Sequence, residues 1–148
     1  MQERFQNFTV LIAKISRSIR KIKTEEMDEF ELKSPHVSCL YYLYKFGPLT
    51  AKEICDICQE DKASVSRSLE YLEKNDYIYC NSNLQKRYKS PLSLTKKGQM
   101  VSKKIAQKID SILDVSSVGL SNDELEILYK SLALISDNLE KLCEKYGG

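Results

Sequence analysis

The sequence predicts a mainly α-helical protein with one small β-hairpin near its middle. Towards both ends, apolar residues recur every three or four positions, which is the pattern of long amphipathic helices. Between those ends, two short capped helices are followed by two strand-like segments that flank a basic turn. The chain has 148 residues, a length that suits one globular unit with a sizeable core.

A long first helix is predicted for residues 4–23. Its apolar residues define one stripe at helical spacing: Phe8, Leu11, Ile12, Ile15, Ile19 and Ile22. The pair Ser34-Pro35 can begin a second helix. Its inward side is expected to carry Val37, Leu40, Tyr41 and Tyr44.

Two short helices are predicted after the break at Gly47-Pro48. Thr50 and Glu53 have the spacing of a capping box, in which side chains satisfy unpaired backbone N–H groups at a helix start. Asp61 can cap the next helix, which is expected to run to about Asn75.

The second of these short helices has two different faces. One face is apolar and consists of Val65, Leu69 and Leu72. The other face and its flanks are small, hydroxylic and mostly basic: Ala63, Ser64, Ser66, Arg67, Glu70, Tyr71 and Lys74. Small residues permit close approach to a DNA major groove, hydroxyls can contact phosphates or base edges, and a guanidinium can recognise guanine.

Basic residues are concentrated between Asp76 and Asp110, where the chain has no acidic residue. They are Lys86, Arg87, Lys89, Lys96, Lys97, Lys103, Lys104 and Lys108. The whole chain carries a formal charge of only +2, so this segment creates a local field that attracts polyanions. A basic loop between the strand-like residues 77–80 and 92–94 could reach phosphates or a minor groove. The alternative is a solvated lysine surface.

Two short helices followed by a basic hairpin are typical of a winged helix-turn-helix. Residues 63–78, with the sequence ASVSRSLEYLEKNDYI, resemble the recognition helix of the MarR family of bacterial transcription regulators. Residues 92–98, LSLTKKG, are similar to the S-L-T-x-x-G run that closes the wing in that family. The layout is similar as well, because long helices lie on both sides of the winged region.

The chain departs from the family pattern at two places. The wing loop has Asn81 and Asn83 but lacks the aspartate that usually precedes the wing arginine. Asp76 stands where a glycine is common between the recognition helix and the wing. An Asn-Asp pair can adopt the left-handed conformation of such a corner at modest cost.

The resemblance implies a homodimer built from the terminal helices. Residues 1–148 are expected to form one unit, with a winged helix-turn-helix DNA-binding region at 34–98 and dimerisation helices at 4–23 and 99–146. Ser121 and Glu124 form a second capping box, before a helix with a broad apolar face: Leu125, Leu128, Leu132, Ile135, Leu139 and Leu142. Apolar faces of this size favour an intermolecular bundle. The alternative is an intramolecular helical subdomain.

The expected partner is double-stranded DNA with a palindromic operator. The expected role is regulation of transcription, by repression or alternatively by activation. In the recognition helix we expect DNA contacts from Lys62, Ser64, Ser66, Arg67 and Tyr71. In the wing we expect contacts from Lys86, Arg87 and Lys89, with Arg87 as the candidate for minor-groove insertion. Thr50 and Lys52 are candidate phosphate contacts.

The resemblance also implies an effector pocket, in which a small aromatic or phenolic molecule lowers DNA affinity. The helices expected to line it carry Phe5, Phe8, Val37, Tyr41 and Tyr44. Apolar walls with a few phenol hydroxyls suit a flat, weakly polar ligand. The alternative is that these side chains belong to the core.

The five cysteines are an odd number at irregular spacing, which does not indicate a secreted disulfide framework: Cys39, Cys55, Cys58, Cys80 and Cys143. Cys55 and Cys58 are half of a zinc pattern without a second pair, so we expect them to pack in the core and expect no metal or other cofactor. A redox-responsive regulator using Cys39 is an alternative, although no basic neighbour at helical spacing favours its thiolate.

Other classes of protein have little support. The chain has a single histidine, His36, and no glycine-rich phosphate loop, so an enzyme is not expected. A winged helix that binds only proteins is a further alternative. The sequence has neither a long apolar run nor a signal-peptide pattern, and we expect a cytoplasmic protein.

Overall fold

A computed structural model describes residues 3–58, 60–81 and 89–147 and confirms the predicted mainly helical fold with a small hairpin. The helices are α1 Leu11–Glu26, α2 Ser34–Phe46, α3 Ala51–Cys58, α4 Lys62–Lys74, α5 Lys96–Ser116 and α6 Asn122–Cys143. The strands are β1 Ile78–Cys80 and β2 Leu92–Leu94. A π-helical turn, Gln6–Val10, leads into α1, and short 3₁₀ turns cover Asp28–Phe30 and Glu144–Tyr146.

The chain forms two compact units. The first, residues 1–109, contains the hydrophobic core. This core includes the following side chains that are at most 2% exposed: Met27, Val37, Leu40, Ile54, Leu72, Ile78 and Ile105. The second unit, residues 110–148, has no buried side chain among its described residues. Its helix α6 begins with the predicted capping box of Ser121 and Glu124.

Both helices of the predicted helix-turn-helix begin where their caps were expected. At the start of α3, the Glu53 backbone N–H donates to Thr50 Oγ1 at 3.1 Å, and the Thr50 hydroxyl donates to Glu53 Oε1. At the start of α4, Asp61 Oδ1 accepts the Ser64 backbone N–H at 2.8 Å. These side chains satisfy N–H groups that have no partner inside their helices.

The hairpin pairs β1 and β2 in antiparallel register, with Ile78 opposite Leu94 and Cys80 opposite Leu92. Leu49 adds a bridge to Leu92, with backbone hydrogen bonds of 2.8 and 3.2 Å. Pro91 lies just before β2 and contributes its carbonyl, which accepts the Asn81 N–H at 3.0 Å. Pro91 thus takes part in the ribbon as a hydrogen-bond acceptor, which a residue without an N–H can do.

The corner between α4 and β1 has the geometry that the Asn75-Asp76 pair predicts. Asp76 is left-handed, with φ 63°. The Tyr77 N–H donates to Leu72 O at 2.9 Å and the Asp76 N–H donates to Glu73 O at 3.2 Å, which is the hydrogen-bond pattern of a Schellman motif. This corner ends α4 and directs the chain into the hairpin.

The predicted apolar stripe of the first helix is exposed in the first compact unit, as far as the described residues show. Its large side chains are about two-fifths to three-fifths exposed: Phe8, Leu11, Ile12, Ile15, Ile19 and Ile22. In α6, Leu132, Leu139 and Leu142 are between 42% and 46% exposed. Soluble monomers rarely leave contiguous apolar faces of this length open to water. In the described part of the chain, no helix is long and apolar enough to cross a membrane.

Candidate nucleic-acid interface

Helix α4 is anchored on one side and open on the other. Its buried side consists of Val65, Ser68, Leu69 and Leu72. Its open side carries the exposed residues Lys62, Ala63, Ser66, Arg67, Glu70 and Lys74, with Ser64 half-buried beside them. The core fixes the helix, so the exposed hydroxyl and basic groups are presented on a rigid scaffold. This is the division of faces that the sequence predicted.

Tyr71 lies at the edge of this surface and is held from α2. Its ring is 37% exposed and stacks on His36, with the ring centroids 4.3 Å apart and an interplanar angle of 12°. His36 is fixed in turn, because its Nδ1 accepts the Lys33 backbone N–H at 3.1 Å. Burial and the Lys33 charge lower the pKa of His36. The imidazole is therefore a neutral acceptor near neutral pH.

The base of the wing is fixed by a side-chain hydrogen bond, since Asn81 Nδ2 donates to Ser93 Oγ at 2.7 Å. Two of the predicted wing contacts, Lys86 and Arg87, lie outside the described residues. The third, Lys89, is exposed. The part of the wing that the structure describes thus places one of the three predicted cations at the surface.

Two lysines of the basic segment, Lys108 and Lys97, make contacts within the folded chain. The Lys108 ammonium forms salt bridges with Glu29 and Glu26 and lies 5.7 Å from the centre of the Phe30 ring. Lys97 donates to Asn75 O at 2.9 Å and lies 4.3 Å above the centre of the Tyr77 ring.

Lys108, one of the eight charges of the basic segment, is therefore partly neutralised within the fold. The carboxylates paired with Lys108 come from residues about 80 positions earlier in the chain, so the sequence pattern did not reveal them. The described cations that stay exposed without such contacts are Lys89, Lys96, Lys103 and Lys104.

The two candidate phosphate contacts differ. Lys52 is exposed on the first turn of α3. Thr50 is half-buried, and its hydroxyl is engaged with Glu53 in the cap. A phosphate contact from the Thr50 side chain would have to share that hydroxyl.

The five residues expected to line an effector pocket differ in their exposure to solvent. Val37 is fully buried in the core, while Phe5 is 75% and Phe8 is 41% exposed. Tyr41 and Tyr44 are half-buried on α2. The surface depression beside Phe5 and Phe8 is also lined by Arg4, Asn7 and Thr9, and its described lining includes no residue of α2.

A cavity that the sequence did not predict lies against α4. Its volume is about 220 Å³, and its apolar wall is formed by Val65, Leu69 and Leu92. Lys62 and Ser66, both predicted DNA contacts, also line it. Residues from α3, α4 and the hairpin meet here, so no single segment of the sequence could predict the cavity.

Comparison with known sequences connects this fold to one family. A model of the MarR family matches residues 30–87. YwoH, an HTH-type transcriptional regulator of Bacillus subtilis strain 168, is 34% identical over 74 residues. Those residues are 50% of this chain and 54% of that protein, so the match spans about half of each.

Comparison with solved structures extends the likeness to almost the whole chain. NMB1585, a MarR family regulator from Neisseria meningitidis, has a TM-score of 0.83 at 20% identity, covering 97% of this chain and 98% of that one. A putative MarR family regulator from Listeria monocytogenes, complexed with a 26mer DNA, has a TM-score of 0.80 at 25% identity and covers 93% of both chains. The predicted resemblance to the MarR family is confirmed, and the fold is that of its winged-helix regulators.

Proposed function

We propose that this protein is a homodimeric regulator of transcription that binds specific double-stranded DNA sequences and acts as a repressor. The observation that carries the proposal is the exposed, hydroxylic and basic face of α4, which the core holds from behind. The structural relative from Listeria monocytogenes was solved with DNA, which supports this use of the fold.

In the proposed complex, α4 enters the major groove. Arg67 is exposed in the second turn of the helix and can form a bidentate contact to a guanine. Ser64, Ser66 and Lys62 lie in the first turns, where short hydroxyl side chains and a flexible ammonium contact phosphates or base edges. Tyr71, steadied by His36, borders the same surface.

The wing and the start of α3 contribute contacts to the backbone. Lys89 is exposed at the base of the wing, and Lys52 is exposed at the start of α3. We assign Lys86 and Arg87 to the wing tip, with Arg87 entering the minor groove; both lie outside the described residues. Contacts of this kind position the protein on the duplex but carry little base specificity.

The apolar faces of α1 and α6 support a homodimer. A second copy of this chain would cover both faces with the same residues, as a two-fold interface requires. Two recognition helices related by two-fold symmetry bind half-sites that are inverted repeats. A palindromic operator is therefore part of the proposal.

The proposal includes a small-molecule effector. Tyr41 and Tyr44 on α2 offer phenol hydroxyls beside apolar surface, which suits a small aromatic or phenolic molecule. Such a ligand can act only by binding the DNA-competent and incompetent states with different affinity. Titration of salicylate against the protein, with and without operator DNA, tests this coupling: the ligand should weaken DNA binding, and DNA should weaken ligand binding by the same factor.

Selection of binding sites from random duplex DNA tests the main proposal. The parent protein should enrich an inverted repeat. The Arg67→Ala variant should enrich it weakly, while Lys130→Ala, which changes an exposed residue of α6, should match the parent. Absence of enrichment at low salt would favour a winged helix that binds proteins, because phosphate contacts are strongest under that condition.

A further inference from the structure

Two rings from different helices are stacked where α2 meets α4. His36 is the third residue of α2, and Tyr71 lies in the third turn of α4. Their ring centroids are 4.3 Å apart, with an interplanar angle of 12°. The next residue in each helix, Val37 and Leu72 respectively, is fully buried. The core therefore fixes both backbones, and the two rings meet at a defined place.

The start of α2 also fixes the imidazole. His36 Nδ1 accepts the Lys33 backbone N–H at 3.1 Å, which is the role of the third helical residue in a capping box. This hydrogen bond restrains the plane of the ring, because rotation of the imidazole would break it. His36 thus provides two separable groups, a hydrogen-bond acceptor for the helix start and a ring face for Tyr71.

Tyr71 lies on the side of α4 that carries the proposed DNA contacts. Arg67 is four residues earlier, so the two side chains are neighbours on the helix surface, and both are exposed. The Tyr71 carbonyl accepts the backbone N–H of Asn75 at 3.0 Å and its side-chain Nδ2–H at 2.8 Å. The end of α4 therefore holds the main chain of Tyr71, while His36 holds its ring.

A positive charge is not what His36 offers to DNA at neutral pH. Burial and the Lys33 charge lower the pKa of His36, so the imidazole is neutral at pH 7.5. The ring instead restricts Tyr71. An exposed tyrosine samples several rotamers and loses that freedom on binding, whereas a stacked tyrosine has lost part of it beforehand. Ordering one such side chain in advance is worth about two- to tenfold in affinity.

We propose that His36 is a positioning residue for DNA binding, whose ring holds Tyr71 so that the phenol hydroxyl donates to a phosphate of the DNA backbone. The inference rests on the proposed function, because it assigns a further residue to the same surface. Tyr71 follows Arg67 along α4, so a phosphate contact here would border the base contact proposed for Arg67. A hydroxyl donor suits a phosphate oxygen, and such contacts position a protein on the duplex without reading its sequence.

Two substitutions separate the functions of His36. His36→Phe keeps a ring to stack on Tyr71 but removes the acceptor for the Lys33 N–H. His36→Gln removes the ring but keeps an acceptor of the kind that capping boxes use. Anisotropy with the full-length protein at pH 7.5 should give parent-like affinity for His36→Phe and about two- to tenfold weaker binding for His36→Gln. This order should hold whatever the order of stabilities in urea unfolding, which a merely structural histidine would not allow.

The Tyr71 variants test the second half of the chain of contacts. Tyr71→Phe keeps the stack and loses the hydroxyl, so it should weaken selected and scrambled duplexes by the same factor. Tyr71→Ala with His36→Gln should bind no more weakly than Tyr71→Ala alone, because His36 acts through this ring. Phe46→Gln is the matched control, since it removes a stacked ring at the other end of α2 and should bind as the parent does.

Arg67→Ala separates this inference from the proposed function. If Arg67→Ala weakens binding to the selected site and His36→Gln does not, the α4 surface binds DNA and the positioning role of His36 is wrong. Equal losses in His36→Phe and His36→Gln, or additive losses in the double variant, overturn it as well. A parent that binds no duplex rejects both ideas. Should His36→Gln fail to fold, His36→Asn removes the ring and tests the same step.

Discussion

The Tyr77 carbonyl oxygen occupies the space where Gly98 would carry a side chain. A Cβ built on Gly98 would lie 1.9 Å from that oxygen and 2.9 Å from its carbon. The same carbonyl accepts the Thr95 N–H at 3.0 Å, and Thr95 Oγ1 accepts the Gly98 N–H at 3.0 Å. The threonine and glycine of the LSLTKKG run thus cap α5 and seat it against the start of β1.

We expect Gly98→Ala to destabilise the protein by about 1–3 kcal/mol or more, because backbone atoms must shift to admit the methyl group. The direction of the stability change is informative, since alanine inside a helix is otherwise favoured over glycine by about 1 kcal/mol. Urea unfolding of the variant and of Gln99→Ala, its exposed neighbour, would measure the effect. Equal or higher stability of Gly98→Ala would show that the close contact is absent.

Asp61→Ala should reduce the free energy of unfolding by about 1 kcal/mol, because the Ser64 N–H loses its acceptor at the start of α4. Asp61→Asn keeps an acceptor oxygen at the same position and should retain most of the stability. The midpoints of denaturant unfolding compare the three proteins. Equal losses in both variants would point to charge, and not to the cap, as the origin.

His36 should make stability depend on pH in the mildly acidic range. Burial and the Lys33 charge lower the pKa of His36 in the folded state, so the unfolded chain takes up a proton first. The contribution is complete above the unfolded pKa of about 6.5 and is lost as the pH falls from there through the lower folded pKa.

The matched variant is His36→Gln, which does not titrate. Thermal unfolding from pH 7.5 to pH 5 should show a larger decrease for the parent than for the variant. Parallel curves for the two proteins would contradict the assigned environment of His36. Tyr71→Phe keeps an aromatic ring for stacking and should follow the parent.

Arg67 and Lys89 should affect DNA binding differently. Arg67→Ala should cost about 1–3 kcal/mol on the selected site and relax the preference for one base pair. Lys89→Ala should weaken all duplexes alike and flatten the dependence of log K on log salt by about one unit. Fluorescence anisotropy on selected and scrambled duplexes at several salt concentrations separates the two. If both variants bind DNA as the parent does, this surface is not part of the DNA interface.

Changing Leu132 and Leu139 together to Asp should dissociate the proposed dimer, because it would bury unpaired charge at a cost of several kcal/mol. Ser131→Asp with Asn138→Asp adds the same charge at exposed polar positions of α6 and should leave the dimer intact. Sedimentation at micromolar concentration compares them. A parent protein that sediments as a folded monomer would reject the dimer.

Local patterns in the sequence predicted most of the secondary structure. The caps at Thr50, Asp61 and Ser121, the apolar face of α4 and the left-handed corner at Asp76 were all correct. These features depend on residues within a few positions of one another, and short-range hydrogen bonds and helical periodicity determine them. The outward face of α4 followed from the same periodicity. The bounds of the winged region, 34–98, and the dimerisation role of the helices at 4–23 and 99–146 remain predictions.

Contacts between distant segments decided the rest. In the sequence, Lys108 is one of the eight charges of the basic segment, but in the fold α1 and the following turn supply carboxylates that pair with it. The sequence shows no basic neighbour of Cys39 at helical spacing, but Lys23 of α1 donates to the hydroxyl of Ser38, the residue next to Cys39. A charge or a thiol acquires its chemistry from whatever lies within a few ångströms. For these side chains, packing between helices determines the local environment, and no pattern of residues nearby in the sequence encodes it.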